Sequence, residues 1–278
     1  MAITYNNLYL DIRRQLRGAG IEAATLEARE LVCFGTGKSR EQLQRDGGLY
    51  ASPELERRVR DLVDRHLAGE PVAYLIGEWE FYGLPLDISR EVLIPRPDTE
   101  VLAEQAINYL RTQGECRVLD LCAGSGCIGI SIAKACPGAS VYCVEKSTDA
   151  FAYLQKNAMP VANVRPVLAD ISGDLTSLPK PQVLVSNPPY IPAAVMPTLQ
   201  PEVLKEPMMA LDGGTDGLDF YRLITEKIVP TLASGTQLLL EIGDEQGRAV
   251  QNLFATCENV QVRQDIYGKD RILIATVA

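Results

Sequence analysis

Asn187-Pro188-Pro189-Tyr190 is the segment whose residue types most directly imply chemistry. It follows an apolar run, Val183-Leu184-Val185, and joins a side-chain amide, a rigid turn and an aromatic face. A strand ending there exposes the Asn187 carboxamide and the turn carbonyls as hydrogen-bond acceptors, because neither proline has an N–H to compete. Tyr190 supplies a stacking surface. An amide or aromatic amine is a poor nucleophile because its lone pair is delocalised. Drawing both of its hydrogens toward acceptors localises that density and aims it at an electrophile. The expected pocket holds a flat planar amine; the plain alternative is a strand followed by a Pro-rich turn with no chemistry.

A second cluster, Asp120-Leu121-Cys122-Ala123-Gly124-Ser125-Gly126-Cys127-Ile128-Gly129, lies where a strand gives way to a helix. Gly124 and Gly126 allow a tight turn and close approach of a ligand to the backbone. Glu145 closes the next strand, where an acidic side chain accepts both hydroxyls of an adenosine ribose. Counted from Gly124 through Gly129, the glycines also satisfy the dinucleotide pattern, so they do not choose between cofactors. Two aspartates tip the balance toward methyl transfer rather than hydride transfer. Asp120 ends its strand beneath the place of a sulfonium and its amino-acid tail, and Asp170, followed by Ile171, comes after the third strand, where a carboxylate meets an adenine amino group. Both also have structural readings, as helix caps or turn residues.

These groups need a scaffold, and the chain from Arg117 onward supplies the pattern of one. Short apolar strands at 118–121, 141–144, 164–168, 183–186, 237–242, 260–264 and 272–277 alternate with helical stretches, which predicts an α/β fold with a mostly parallel sheet covered on both faces. The last two strands are close enough to pair as an antiparallel hairpin across Tyr267-Gly268-Lys269. Ahead of them, residues 1–72 read as a small helical bundle. Leu8, Ile12 and Leu16 repeat at helical spacing, Thr25 is placed to cap a second helix, and Ser52-Pro53 opens a third with the stripe Leu55, Val59, Leu62, Val63. Residues 73–95, with aromatic and β-favouring residues around Gly83-Leu84-Pro85, read as a β-hairpin linker. The third domain is then 96–278.

Composition narrows the classes. The 278 residues carry a formal net charge of −9, which argues against extensive contact with a phosphate backbone. Seven cysteines, an odd number with no C-x-x-C pair, point to free thiols in a reducing compartment and away from a metal site. The sole histidine, His66, excludes sites built on several imidazoles, and its charged helix predicts a surface position. No apolar run reaches membrane-span length and residues 1–20 show no signal-peptide core, so a cytoplasmic location is expected.

The order of strand-end features, glycine turn, acid, Asp and Asn-Pro-Pro-Tyr, resembles class I S-adenosylmethionine-dependent methyltransferases acting on amide or exocyclic nitrogens. Further segments, GEWEFYGLPLDIS, VLIPRPDTE, EPMMALDGGTDGLDFYRLI, EIGDEQG and YGKDRI, are similar to the family of protein-(glutamine-N5) methyltransferases that modify peptide chain release factors. The resemblance runs from about Pro71 to the end of the chain. It implies a Rossmann-like seven-stranded methyltransferase domain, with the helical bundle as the substrate-recognition domain. It implies methyl transfer from S-adenosyl-L-methionine, leaving S-adenosyl-L-homocysteine, to the Gln of a Gly-Gly-Gln motif.

The same resemblance assigns roles. Asn187, Pro188 and Tyr190 are the catalytic residues, and with Pro189 and Arg96 they hold the substrate. The cofactor falls to Asp120, Cys122, Ala123, Gly124, Ser125, Gly126, Glu145, Asp170, Ile171, Asn187, Thr99 and Glu100. Members often carry Gly and Thr where this chain has Cys122 and Ala123. Arg96, Asp98, Thr99 and Glu100 also read as a helix start after Pro97, and Glu206, Pro207 and Gly213-Gly214 as either a loop over the substrate entrance or a packed surface loop. Class I release factors are the implied partner of a monomer with no metal, no stable nucleic acid and no membrane. The rivals are an N-methyltransferase of an exocyclic amine in DNA or RNA, and a catalytically silent cofactor-binding scaffold.

Overall fold

The computed structural model describes residues 2–265 and 267–278. The chain divides into two compact units, Met1–Glu78 with Gln200–Lys205, and Trp79–Leu199 with Glu206–Ala278. Among the described residues no helix is long and apolar enough to cross a membrane.

Among the described residues the first unit holds five α-helices: α1 (Tyr5–Gly18), α2 (Ala24–Thr36), α3 (Arg40–Arg45), α4 (Pro53–Leu67) and α5 (Val72–Ile76). Side-chain caps start three of them: Thr4 Oγ1 accepts from Asn7 N, Ser39 forms a capping box with Gln42, and Ser52 Oγ accepts from Leu55 N ahead of Pro53. The apolar stripes Leu8, Ile12, Leu16 and Val59, Leu62, Val63 are buried. Gly35 lets α2 and α4 approach closely, since a Cβ there would lie 2.6 Å from Val59 Cγ2. Two expectations for this unit are corrected. Thr25 does not cap α2; Ala23 precedes the helix without a side-chain cap, and Thr25 Oγ1 instead accepts from Arg17 Nη2 at 3.1 Å. His66 is not a surface residue. It is 2% exposed, with Nδ1 2.9 Å from Glu70 O and Nε2 3.0 Å from Glu27 Oε2.

Burial opposes protonation of His66, but the Glu27 carboxylate and the Glu70 carbonyl outweigh it and raise its pKa. A histidine with a raised folded-state pKa stabilises the fold fully below its unfolded value of about 6.5, and this contribution is lost as pH rises through the folded value. Glu27→Gln is therefore expected to lower stability by about 1–2 kcal/mol near pH 6. The difference from wild type in urea unfolding should shrink as pH rises through the raised folded-state value; a gap that stays constant with pH would show that His66 is neutral in the folded state.

The second unit begins in a hairpin, β1 (Glu78–Phe81) and β2 (Leu84–Asp87). Its two-residue loop, Tyr82 and Gly83, has φ of 51° and 71°, as a type I′ turn requires. After α6 (Pro97–Leu110) come β3 (Cys116–Leu121), α7 (Cys127–Ala135), β4 (Ala139–Glu145), α8 (Thr148–Ala158), β5 (Val164–Leu168) and β6 (Val183–Ser186). The chain ends with α9 (Asp219–Leu223), β7 (Gln237–Glu241), α10 (Gly247–Leu253), β8 (Glu258–Gln264) and β9 (Asp270–Thr276).

The seven strands form one sheet in the order β5-β4-β3-β6-β7-β9-β8, parallel except for the pairings of β9 with β7 and β8. All seven expected strands are present. Several start earlier than their apolar runs, because Cys116 and Arg117 still pair with Ala139 and Ser140 although their side chains give no strand signal. The sheet separates two apolar layers. Val118, Val141, Val183 and Val185 face α6, α7 and α8, while Leu119, Leu121, Leu184 and Leu240 face α9, α10 and the π-helical turn Ile224–Ile228. This alternation at a period of two is what a sheet buried on both faces requires.

Candidate active site

Parallel pairing aligns the carboxyl ends of the central strands. Leu121 sits opposite Val144 on one side and Ser186 on the other, and Ser186 sits opposite Leu240. The next residue on each strand is Cys122, Glu145, Asn187 and Glu241. Ligands of open parallel sheets bind at this edge. A cavity of about 470 Å³ lies there, within the range of small-molecule sites.

Cys122, Ala123, Gly124, Ser125, Glu145, Asp170, Ile171, Asn187, Pro189, Thr99 and Arg96 all line it. Glu145 Oε2 accepts from Gly124 N at 2.8 Å and Oε1 from Ser147 N at 2.7 Å, so the carboxylate ties the glycine turn to the start of α8. Gly124 has φ of 54° and open space where a Cβ would stand. Cys122 adopts φ of 57°, a left-handed conformation that glycine takes without strain. Burial pushes both pocket thiols up, Cys127 to about 12 and Cys122 further, which keeps them protonated and unreactive. Asp170 is held down to about 2 by Lys146, whose Nζ lies 2.7 Å away, and by the Ser172 N–H.

Five residues expected in the site do not line the cavity. Asp120 lies beneath the turn, fully buried; Oδ2 accepts from Gly129 N at 2.9 Å and Oδ1 has no hydrogen-bond partner among the described residues. Burial pushes this carboxyl up to about 7, against the pull of the Gly129 N–H and the Cys143 thiol. Gly126, at φ 84°, turns toward the core, where a Cβ would lie 2.5 Å from Leu154 Cδ1. Glu100 faces away from the cavity and accepts from Tyr82 N at 2.7 Å, fastening the hairpin to α6. Pro188 is buried within the turn. Tyr190 directs its hydroxyl to Glu241 Oε1, 3.4 Å away, and burial raises its pKa.

Long-range partners missed by the sequence reading hold this turn in place. Thr99 Oγ1 accepts from Asn187 Nδ2 at 3.2 Å. Gln246 Nε2 donates to the carbonyls of Tyr190 (2.9 Å) and Gly217 (3.2 Å), while its Oε1 accepts from Gly243 N. Gly213 and Gly217 pack under Tyr190; a Cβ on Gly213 would stand 2.7 Å from Tyr190 Cα, and one on Gly217 would overlap the Tyr190 carbonyl. The segment after Glu206 divides its work. Pro207, Met208, Met209 and Ala210 line the cavity mouth, and Gly213 with Gly214 braces the turn. Glu206, almost fully buried, accepts from Ile94 N at 3.0 Å and pairs with the Arg96 guanidinium. The signal for Gln246 and Glu241 was the segment EIGDEQG, whose spacing alone gives no partner.

Residues 7–77 match the PrmC N-terminal domain and residues 99–214 the methyltransferase small domain. The release factor glutamine methyltransferase of Thermodesulfovibrio yellowstonii is 37% identical over 89% of this chain and 91% of its own length. That of Geobacter sulfurreducens is 39% identical over 94% of this chain and 92% of its own. The chain belongs to the release factor glutamine methyltransferase family. A methyltransferase from Pyrococcus furiosus, 17% identical, shares the fold with a TM-score of 0.54 over 77% of this chain and 97% of its own. The family's methyl donor is S-adenosyl-L-methionine, and the cavity suits it. The turn at Gly124 leaves room for close backbone contact, Glu145 and Asp170 offer carboxylates to hydroxyl and amino donors, and Ile171 and Ala150 give apolar walls.

Gly129 is the tightest point of the turn. A Cβ there would overlap Cys143 Sγ and stand 2.9 Å from Asp120 Oδ2. Gly129→Ala is expected to cost about 1–3 kcal/mol in urea unfolding. Combining it with Cys143→Ala should cost less than the two separate losses together, because the second change removes the overlapped atom; strict additivity would show that α7 yields elsewhere.

Proposed function

We propose that this protein transfers a methyl group to the side-chain amide nitrogen, N5, of the Gln in the Gly-Gly-Gln motif of class I peptide chain release factors, and that it does so as a cytoplasmic monomer. The observation that carries the reading is the direction of the Asn187 amide. Because Nδ2 donates to Thr99, Oδ1 is left to accept from a substrate N–H at the cavity. The Pro188 carbonyl offers a second acceptor in a turn that has no N–H at either proline. Two acceptors match the two hydrogens of a primary carboxamide.

The donor supplies an electrophilic methyl carbon on a cationic sulfur. The chain's own residues position the amide. Asn187 and the Pro188 carbonyl hold its hydrogens, which localises the nitrogen lone pair and stabilises positive charge as it develops there. Pro189 shapes the wall beside the amide plane, and Tyr190 fixes the end of the turn through its hydroxyl bond to Glu241. No side chain need act as a strong base, since the nitrogen becomes acidic as it is alkylated and its proton leaves to water. Arg96, fixed by Glu206, stands at the wall where a substrate backbone would enter. Met208 and Met209, 65% and 56% exposed, give the mouth an adaptable apolar rim suited to a macromolecular substrate. An exocyclic amine of DNA or RNA is not favoured, because relatives that match about nine-tenths of the chain are release factor glutamine methyltransferases.

Incubation with S-adenosyl-L-methionine and a purified release factor should add one methyl group to the Gly-Gly-Gln glutamine, located by mass spectrometry of its peptide. Label entering only nucleic acid would sink the reading. Asn187→Ala should lower turnover on the order of 10²-fold or more while cofactor affinity falls only modestly. Equal loss of both would make Asn187 a structural residue.

A further inference from the structure

Glu241 is a buried acid that the proposed reaction does not use. It ends β7 at 1% exposure, and its Oε2 has no hydrogen-bond partner among the described residues. The Tyr190 hydroxyl after β6 donates to its Oε1 at 3.4 Å, and the Thr99 hydroxyl and Asp98 carboxylate of α6 and Arg271 of β9 lie close enough to act on its charge. Tyr221 of α9 donates to the Glu241 main-chain carbonyl at 2.8 Å. Arg271 pairs with Asp98 and Asp265 rather than with Glu241. An ionised carboxylate only accepts hydrogen bonds, so a hydroxyl that bonds to it donates, as Tyr190 does.

This polarity propagates. Thr99 has one hydroxyl proton; if that proton is aimed at Glu241, Oγ1 presents a lone pair to Asn187, and only the Nδ2 end of the amide can answer it. We infer that Glu241 is a positioning residue which, through the Thr99 hydroxyl, fixes which way round the Asn187 amide sits and so keeps Oδ1 toward the substrate. The inference rests on the proposed role of Asn187 as the acceptor of a substrate amide hydrogen. It also gives a role to an acid that stands where burial is costly. With a neutral group in its place, the Thr99 proton is free to turn toward Asn187, the amide can rotate, and its NH2 would then meet the NH2 of the substrate. Two donors facing one another make no hydrogen bond.

Burial pushes Glu241 up to about 7, so its charge state changes in an accessible range. The ionised form is the one that orients Thr99, and turnover should fall as pH drops below that value.

The test measures release factor methylation by wild type, Glu241→Gln, Thr99→Val, Thr99→Ser and the double variant Glu241→Gln/Thr99→Val. Expected are kcat losses of about 10- to 100-fold for the Gln and Val variants, with cofactor affinity and melting temperature little changed. Thr99→Ser, which keeps the hydroxyl, should retain most of the activity. The double variant should be no worse than the poorer single one, because one relay is cut twice. Wild-type kcat should decline toward acid, and that decline should be absent in Glu241→Gln. Wild-type kcat and an unaltered pH profile in Glu241→Gln would overturn the inference, as would multiplying losses in the double variant. If Glu241→Gln fails to fold, the Thr99 pair decides: equal activity of Val and Ser rejects the relay. A separate readout scores the relay without turnover. The Asn187 side-chain NH2, followed by NMR, should be protected from solvent exchange in wild type and lose protection in Thr99→Val; unchanged protection would reject the relay. A wild-type protein that leaves release factor unmethylated would refute the substrate reading alone.

Discussion

The register of four parallel strands is the constraint on which the site depends. Val144, Leu121, Ser186 and Leu240 stand in one row across β4, β3, β6 and β7. The residues one step further are Glu145, Cys122, Asn187 and Glu241. Adjacent strands are about 4.8 Å apart, so this second row spans roughly 14 Å. A ligand lying along it meets a carboxylate, a glycine turn and an amide in sequence. A slip of one residue in any strand would move its site residue out of this row and turn its core residues to the wrong face. The apolar layers on both faces thus set the chemistry at the edge.

Carboxylates outnumber cations at this edge. Glu91, Glu145, Asp149 and Asp170 line the cavity against Arg96 and Lys146, and Asp120, Glu206 and Glu241 are buried outside its lining. Burial pushes Asp120 and Glu241 up to about 7, whereas Asp170, paired with Lys146, is held near 2. The difference follows from solvation and partners, not residue type. An excess of carboxylates favours a ligand that carries positive charge, as a sulfonium does, and it opposes a phosphate-rich one. Here the local field and the overall charge of −9 point the same way.

The strands were legible because each buried strand is a short apolar run, and the glycine turn because Gly124 and Gly126 need positive φ. What sequence could not supply was distance across the chain. Asp120 and Gly126 read as ligand contacts because they flank the turn, but they serve the turn from below. Glu100 sits one residue from Thr99 and faces a different side, toward Tyr82, since successive positions on a helix are about 100° apart. His66 read as exposed because its neighbours are charged; its partner Glu27 lies in another helix. Glu206 reaches Ile94 and Arg96, and Gln246 reaches Tyr190, through contacts that no local periodicity encodes.

An amide nucleophile makes positional accuracy the main demand on the protein. Without a strong base or a metal to lower the barrier in the proposed reaction, the gain must come from holding nitrogen, carbon and leaving sulfur in line, and small displacements then cost rate steeply. The turn at Asn187 is built for that demand. Ser186 Oγ donates to the Leu121 carbonyl at 2.8 Å, which anchors the end of β6 to β3. Gln246 grips the Tyr190 carbonyl from the far side, and Gly213 and Gly217 fill the space beneath it so closely that no side chain fits. Two prolines remove the remaining backbone freedom at φ. Within this braced turn the Asn187 side chain takes its direction from the hydrogen bond it donates to Thr99 Oγ1.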